Sequence, residues 1–240
     1  MFRFLWIPTT SLLLLFSAFS ACQKNDTSMT PAPRPPVNDT ASGKTFLALG
    51  DSYTIGQSVQ PADRFPYQTA QALRSQGINI QDPRYIAVTG WTTLNLQAGI
   101  SQQNPPPTYD VVTLLIGVND QYQHRDTAEY RTRFTQLLEK SIALAGGRSN
   151  HVFVLSIPDY SATPFVAPVD KTTVSTQVGW FNAINRQITL QYNISYTDIT
   201  PLSREVTGDP TLLAPDDLHY SGKEYGKWAA LLAPAVRNAF

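Results

Sequence analysis

Five short apolar runs, each broken by a turn residue and followed by a stretch with helical spacing, limit what this chain can fold into. The clearest is Asp110-Val-Val-Thr-Leu-Leu-Ile116, in which Val, Ile and Thr predominate. Such residues suit a strand buried on both faces of a sheet. The run passes directly into Gly117-Val-Asn-Asp120. Phe46 to Gly50, Arg84 to Val88, His151 to Ile157 and Ile194 to Asp198 read as four further strands. Helices are predicted from about Pro66 to Gly77, from Thr92 or Thr93 to just before Pro105, and from about Ala128 to Leu144. Two more are predicted from about Thr173 to Tyr192 and from about Gly222 to Asn238. Strands alternating with helices predict an α/β fold, a three-layer α/β/α sandwich on a central, mainly five-stranded parallel sheet. Candidate functional groups then fall at strand ends, where open sheets of this kind place ligands.

The first 43 residues read differently. Arg3, the apolar Leu12-Leu13-Leu14-Leu15-Phe16 and the small residues up to Ala21 have the shape of an export signal over residues 1–21. Phe19-Ser20-Ala21-Cys22 resembles a bacterial lipobox, in which the cysteine becomes the lipidated first residue after cleavage. Cys22 is the only cysteine in 240 residues, so there is no intrachain disulfide and no cysteine nucleophile in the folded part. Residues 22–43 are rich in Pro, Ser and Thr and read as an extended tether. The folded domain is expected over residues 44–240. The expected location is the bacterial cell envelope, with a lipid anchor holding the protein to a membrane. A net charge of +0 with scattered charges gives no case for nucleic-acid binding.

Ser52, in Gly50-Asp-Ser-Tyr53, follows the first strand. A hydrolytic serine needs a base, an acid to orient that base, and donors for the oxyanion. Of the three histidines, His151 opens a strand and reads as structural, and His124 lies in a loop where it is either solvated or rims a pocket. His219 lies in Asp216-Asp-Leu-His219, ahead of the last helix. Residues three apart in a tight turn share one side, so Asp216 can accept from one imidazole nitrogen and leave the other facing a nucleophile. The alternative is that both aspartates only cap the turn.

Together these blocks resemble the SGNH hydrolases of the GDSL type, over the whole of residues 44–240. Gly50-Asp-Ser-Tyr53 is similar to the nucleophile block, with Tyr53 where the family often has Leu. Thr89-Gly-Trp-Thr-Thr93 resembles the glycine block, Gly117-Val-Asn-Asp120 the Gly-x-Asn-Asp block, and Asp216-x-x-His219 the acid-base block. The resemblance implies an SGNH/flavodoxin-like fold and a serine esterase mechanism. Ser52 would be the nucleophile, His219 the base and Asp216 its orienting acid. The Ser52 and Gly90 backbone N–H groups and the Asn119 amide would line the oxyanion hole. It implies no metal and no organic cofactor. Asp51 and Asp120 are expected to brace their turns.

The expected substrate is a short-chain carboxylic ester, with deacetylation of a glycan or small acyl ester in the envelope favoured. Trp91, Tyr122 and Tyr160 are the aromatic candidates for substrate contact, with Phe165 nearby. Lysophospholipase or thioesterase activity is the alternative within enzymes. A catalytically silent SGNH-like lipoprotein that binds a glycan or a protein is the alternative outside them.

Overall fold

The structure, a computed structural model, describes residues 43–240. The expected export signal, Cys22 and the tether before Gly43 lie outside the described residues. The sheet has five parallel strands in the order β2-β1-β3-β4-β5. In chain order these are β1 (Phe46–Gly50), β2 (Arg84–Ala87), β3 (Val111–Leu115), β4 (Val152–Leu155) and β5 (Ser195–Thr197). Every residue of β1, β3 and β4 is buried, which is why these strands read as unbroken apolar runs. The edge strands β2 and β5 are buried only in part and carry Arg84 and Ser195.

The helices are α1 (Ser52–Ile55), α2 (Phe65–Ser75), α3 (Thr93–Gln103), α4 (Val118–Tyr122), α5 (Thr127–Leu144), α6 (Lys171–Gln191), α7 (Thr200–Ser203) and α8 (Gly222–Arg237). Helix α2 packs on α8, while α5 packs on both α3 and α6. Parallel strands joined by right-handed crossovers place the first pair on one face and the other three on the opposite face. The result is the expected three-layer sandwich. Phe65, Tyr225 and Trp228 knit the α2–α8 layer, with ring centroids 4.9 to 6.4 Å apart. Tyr130 and Phe181 join α5 to α6 at 4.6 Å. Fully burying an aromatic or aliphatic side chain of this size contributes about 1.5–3 kcal/mol, so these rings add to the wider apolar core that holds both helix layers.

The sequence places the long elements well and misses the short ones. Helix α6 begins at Lys171 rather than Thr173; β4 starts at Val152 because His151 sits in a 3₁₀ turn, and it ends at Leu155 rather than Ile157. His151 is buried and its Nδ1 lies 2.7 Å from the Asp110 carbonyl, the structural place expected of it. Helices α1 and α4 have four and five residues, too few for a periodic signal. Both begin at the carboxyl ends of neighbouring strands, β1 and β3. There the strand order reverses, with β2 reached to one side of β1 and β3 to the other. Ligands of open α/β sheets bind at this switch point. Among the described residues no helix is long and apolar enough to cross a membrane.

Candidate active site

The site begins with the sharp exit from β1. A Cβ at Gly50 would overlap Thr54 Oγ1 and the Leu115 carbonyl of β3, so only glycine fits where the two strands close on α1. Asp51 caps α1, its Oδ1 accepting from Tyr53 N at 3.0 Å. Ser52 is the first residue beyond that cap, and N–H groups in a helix's first turn have no intrahelical acceptor. Asp51 is wholly buried, and its Oδ2 has no hydrogen-bond partner among the described residues. Burial therefore pushes its carboxyl up to about 8, against the pull of the Tyr53 N–H. It braces the turn, as expected.

The second turn leaves β2. Trp91 N donates to Val88 O at 3.2 Å, and Gly90 between them has φ +84°. A Cβ would meet no protein atom within 4 Å, so the left-handed backbone, not crowding, selects the residue. Thr92 and Asn95 then form a reciprocal capping box that starts α3.

The third turn leaves β3. Asn119 Nδ2 donates to Trp91 O at 3.0 Å. A primary amide has two donor hydrogens; this bond uses one and fixes the plane in which the other points. Asp120 is buried and accepts from Thr93 N at 2.9 Å and Thr93 Oγ1 at 2.6 Å. The Gly90 and Asn119 turns are thus tied together twice. Burial raises the Asp120 carboxyl despite both bonds from Thr93.

The fourth turn precedes α8. His219 is almost fully buried, and its Nδ1 lies 2.7 Å from Asp216 Oδ2. Asp216 Oδ1 accepts from Leu218 N at 3.1 Å and His219 N at 2.8 Å. The turn is therefore capped and the imidazole oriented by the same carboxylate, so Asp216 does more than cap the turn. With Nδ1 donating to Asp216, Nε2 is the basic nitrogen. Ser58, which the sequence does not single out, donates to Asp216 Oδ2 at 2.6 Å. Partial burial acts to raise the Asp216 carboxyl. Hydrogen bonds from Ser58, from His219 through its backbone and side chain, and from Leu218 outweigh it and hold the group down at about 2. Asp217 is exposed with φ +58°, and its backbone N donates to Ala214 O at 3.2 Å.

A cavity of about 160 Å³ joins the four turns. Ser52, Gly90, Asn119 and His219 all line it, with Tyr122, Tyr160 and Phe165 on its far side. Of the three aromatic candidates for substrate contact, Tyr122 and Tyr160 face this space. Trp91 does not line it: its ring packs over Gly99 of α3, where a Cβ would overlap the indole, and its backbone carbonyl holds Asn119. His124, exposed at φ +56°, lines a neighbouring cavity. Tyr53 is buried, its ring 5.3 Å from that of His219 and 5.7 Å from that of Tyr220. Tyr53 thus walls the imidazole from behind. Among the described residues no group of three or more His, Cys, Asp or Glu side chains is placed to hold a metal ion.

Residues 48–226 match the model of the GDSL-like lipase/acylhydrolase family. No curated protein matches the sequence. Among solved structures, the lipase/acylhydrolase from Enterococcus faecalis superposes with a TM-score of 0.61 at 18% identity, covering 81% of this chain and 96% of its own. A psychrotrophic esterase from Pseudoalteromonas sp. gives a TM-score of 0.59 at 18% identity, covering 81% of this chain and 97% of its own. A variant of an acetyl-xylooligosaccharide esterase from Geobacillus stearmophilus gives 0.57 at 20% identity, covering 82% and 94%. These likenesses show a shared fold.

Proposed function

The chain belongs to the GDSL-like lipase/acylhydrolase family, and on that premise we propose that this carboxylic ester hydrolase works through Ser52, His219 and Asp216 on a short acyl ester. The observation that carries the proposal is the convergence of four separate turns on one cavity, with the His219–Asp216 pair already formed. His219 Nε2 takes the proton of Ser52 Oγ as that oxygen attacks the ester carbonyl. Asp216 stays ionised at any pH well above about 2, fixing the tautomer and stabilising the imidazolium. The oxyanion is met by the Ser52 and Gly90 N–H groups and by the second hydrogen of the Asn119 amide. Collapse of the tetrahedral adduct breaks the ester C–O bond, and His219 returns the proton to the departing alcohol. Water, deprotonated by His219, then attacks the acyl-Ser52 carbonyl; the acyl–Oγ bond breaks, His219 returns the proton to Ser52 Oγ, and the acid is released.

The acyl group is short. Pockets for drug-sized ligands run to roughly 300–1,000 Å³, and the cavity beside Ser52, at about 160 Å³, is smaller than that. Deacetylation of a glycan or small acyl ester is the activity we favour, and the acetyl-xylooligosaccharide esterase among the similar structures supports it. Longer-chain lysophospholipase or thioesterase activity needs more room than this cavity gives. A domain that binds without catalysis leaves the oriented Nε2 and the pinned amide without a task. Steady-state rates on 4-nitrophenyl esters from acetate to octanoate test the proposal. It expects kcat/KM to be highest at acetate or propionate and to fall with length; a maximum at octanoate would contradict it. Cys22, by its lipobox, is proposed as the lipid attachment site that holds the enzyme in the cell envelope.

A further inference from the structure

A second cavity, of about 500 Å³, opens beside the one that contains Ser52. The two share a wall made of Tyr122, Tyr160 and Phe165. These rings pack on one another with centroids 6.2 to 6.5 Å apart. Yet Tyr122 and Phe165 remain 54% and 48% exposed. Aromatic faces of that size left open at the lip of a site offer contact area to something not yet there. Building on the esterase reading above, we infer that the second cavity receives the alcohol side of the ester, and that this alcohol is an uncharged carbohydrate.

Size divides the substrate. A cavity of about 500 Å³ lies within the roughly 300–1,000 Å³ range of ligand pockets, whereas the space at Ser52 does not. The bulk of the substrate is therefore on the leaving-group side, across the rings from the acyl group.

The polar groups of the second cavity are set out for hydroxyls. Burial pushes the Tyr160 phenol up to about 12, so it remains a donor, and it donates to Gln121 Oε1 at 2.7 Å. Gln121 Nε2 in turn donates to Gln177 Oε1 at 2.8 Å. Each step fixes the orientation of the next amide, and the relay ends on Gln177, which lines the cavity and whose NH₂ is a donor. Asp170 stands at the cap position of α6 but makes no side-chain cap bond, which leaves its carboxylate as an acceptor. Thr173 and Gln177 follow it at spacings of three and four along one face of the helix. A helical ladder of carboxylate, hydroxyl and amide opposite an aromatic wall suits a sugar, whose C–H face packs on rings while its hydroxyls both donate and accept.

Charge separates this occupant from the other alcohols and thiols of acyl esters. Neither cavity is lined by a lysine or an arginine, and Asp170 adds a negative charge. A lysophospholipid or a coenzyme A thioester would bring phosphate to the second cavity, where, among the described residues lining it, His124 is the one side chain able to carry positive charge, beside the Asp170 carboxylate.

The test compares kcat/KM on acetylated xylo-oligosaccharides with kcat/KM on 4-nitrophenyl acetate, for the full chain and for Thr173→Trp and Gln177→Ala. Thr173 is exposed on α6, so the tryptophan fills the cavity without entering the core. The inference expects the ratio of the two kcat/KM values, oligosaccharide over nitrophenyl ester, to fall at least tenfold in Thr173→Trp and several-fold in Gln177→Ala, through KM. A ratio that both variants leave unchanged overturns it. So does a wild-type protein that cleaves 4-nitrophenyl acetate but no acetylated oligosaccharide, or one that prefers a lysophospholipid; these results leave the esterase reading standing. Failure of the wild-type protein to cleave 4-nitrophenyl acetate overturns the esterase reading and this inference with it.

Discussion

Ser58 Oγ and His219 Nδ1 meet on a single oxygen, Oδ2 of Asp216, at 2.6 and 2.7 Å. Ser58 lies beyond α1 in the loop that leaves the nucleophile, whereas Asp216 belongs to the turn before α8. The bond therefore ties the nucleophile loop to the acid-base turn. Ser58 has φ +65°, a conformation that costs a non-glycine residue roughly 1 kcal/mol.

Removing that hydroxyl should loosen the orientation of Asp216 without neutralising it. A charge-assisted bond partly open to solvent is worth about 1 kcal/mol. Ser58→Ala is thus expected to lower kcat on 4-nitrophenyl acetate by about fivefold, with KM changed less than twofold. Ser58→Gly relieves the backbone and still lacks the hydroxyl, so it should show the same loss at undiminished thermal stability. Full activity in the glycine variant would assign Ser58 to the loop alone.

Asn119→Ala is expected to cut kcat by about a hundred- to a thousand-fold, the usual cost of one oxyanion donor, with KM little altered because the donor acts on the transition state. The bond to Trp91 O makes a second readout possible. The variant also loses this tether between turns, so a modest drop in melting temperature should accompany the loss. A change confined to KM would contradict the role.

Asp51 gives the fold a pH dependence of its own. Its carboxyl, normally near 3.8, is raised to about 8 by burial. Between those values the folded chain holds a proton that the unfolded chain has released. The contribution of this group is full below about pH 3.8 and is lost as pH rises towards 8, at about 1.4 kcal/mol per pH unit at most. Asp51→Asn retains an acceptor for Tyr53 N and removes the titration. Urea denaturation from pH 4 to pH 8 should show wild-type stability declining relative to the variant; parallel curves would contradict the account.

The anchor is tested by fractionation. Expressed with its leader in a Gram-negative host, the full chain should sediment with membranes and Cys22→Ser should appear in the soluble fraction. Equal membrane association of the two would remove the lipobox proposal.

What the sequence discloses depends on how local its physical cause is. Strands β1, β3 and β4 are legible because both faces are buried and, apart from Thr113 and the glycine that ends β1, every position carries an apolar side chain. The four site turns are legible because each has a short motif at a strand end or ahead of α8. Asp216 and His219 lie three residues apart, so their pairing can be anticipated from turn geometry. Ser58 cannot be found this way: it is an exposed serine, and its partner arrives only through the packing of α8 against α2. Trp91 shows the opposite failure. Its place beside Gly90 suggests the cavity, but which way an indole turns is decided by the space left over Gly99 in the next helix. The ring wall shared by Tyr122, Tyr160 and Phe165 likewise depends on the loop before α6, where no periodicity guides a reader.

The central claim is that Ser52 carries the acyl group between two half-reactions. Rapid acid quench of the enzyme with 4-nitrophenyl acetate, followed by intact mass and peptide mapping, tests it most directly. We expect one acetyl group per chain, on the peptide containing Ser52, together with a burst of nitrophenol, and neither in Ser52→Ala. Turnover that persists in Ser52→Ala, or an acetyl group found on another residue with Ser52 unmodified, would contradict it.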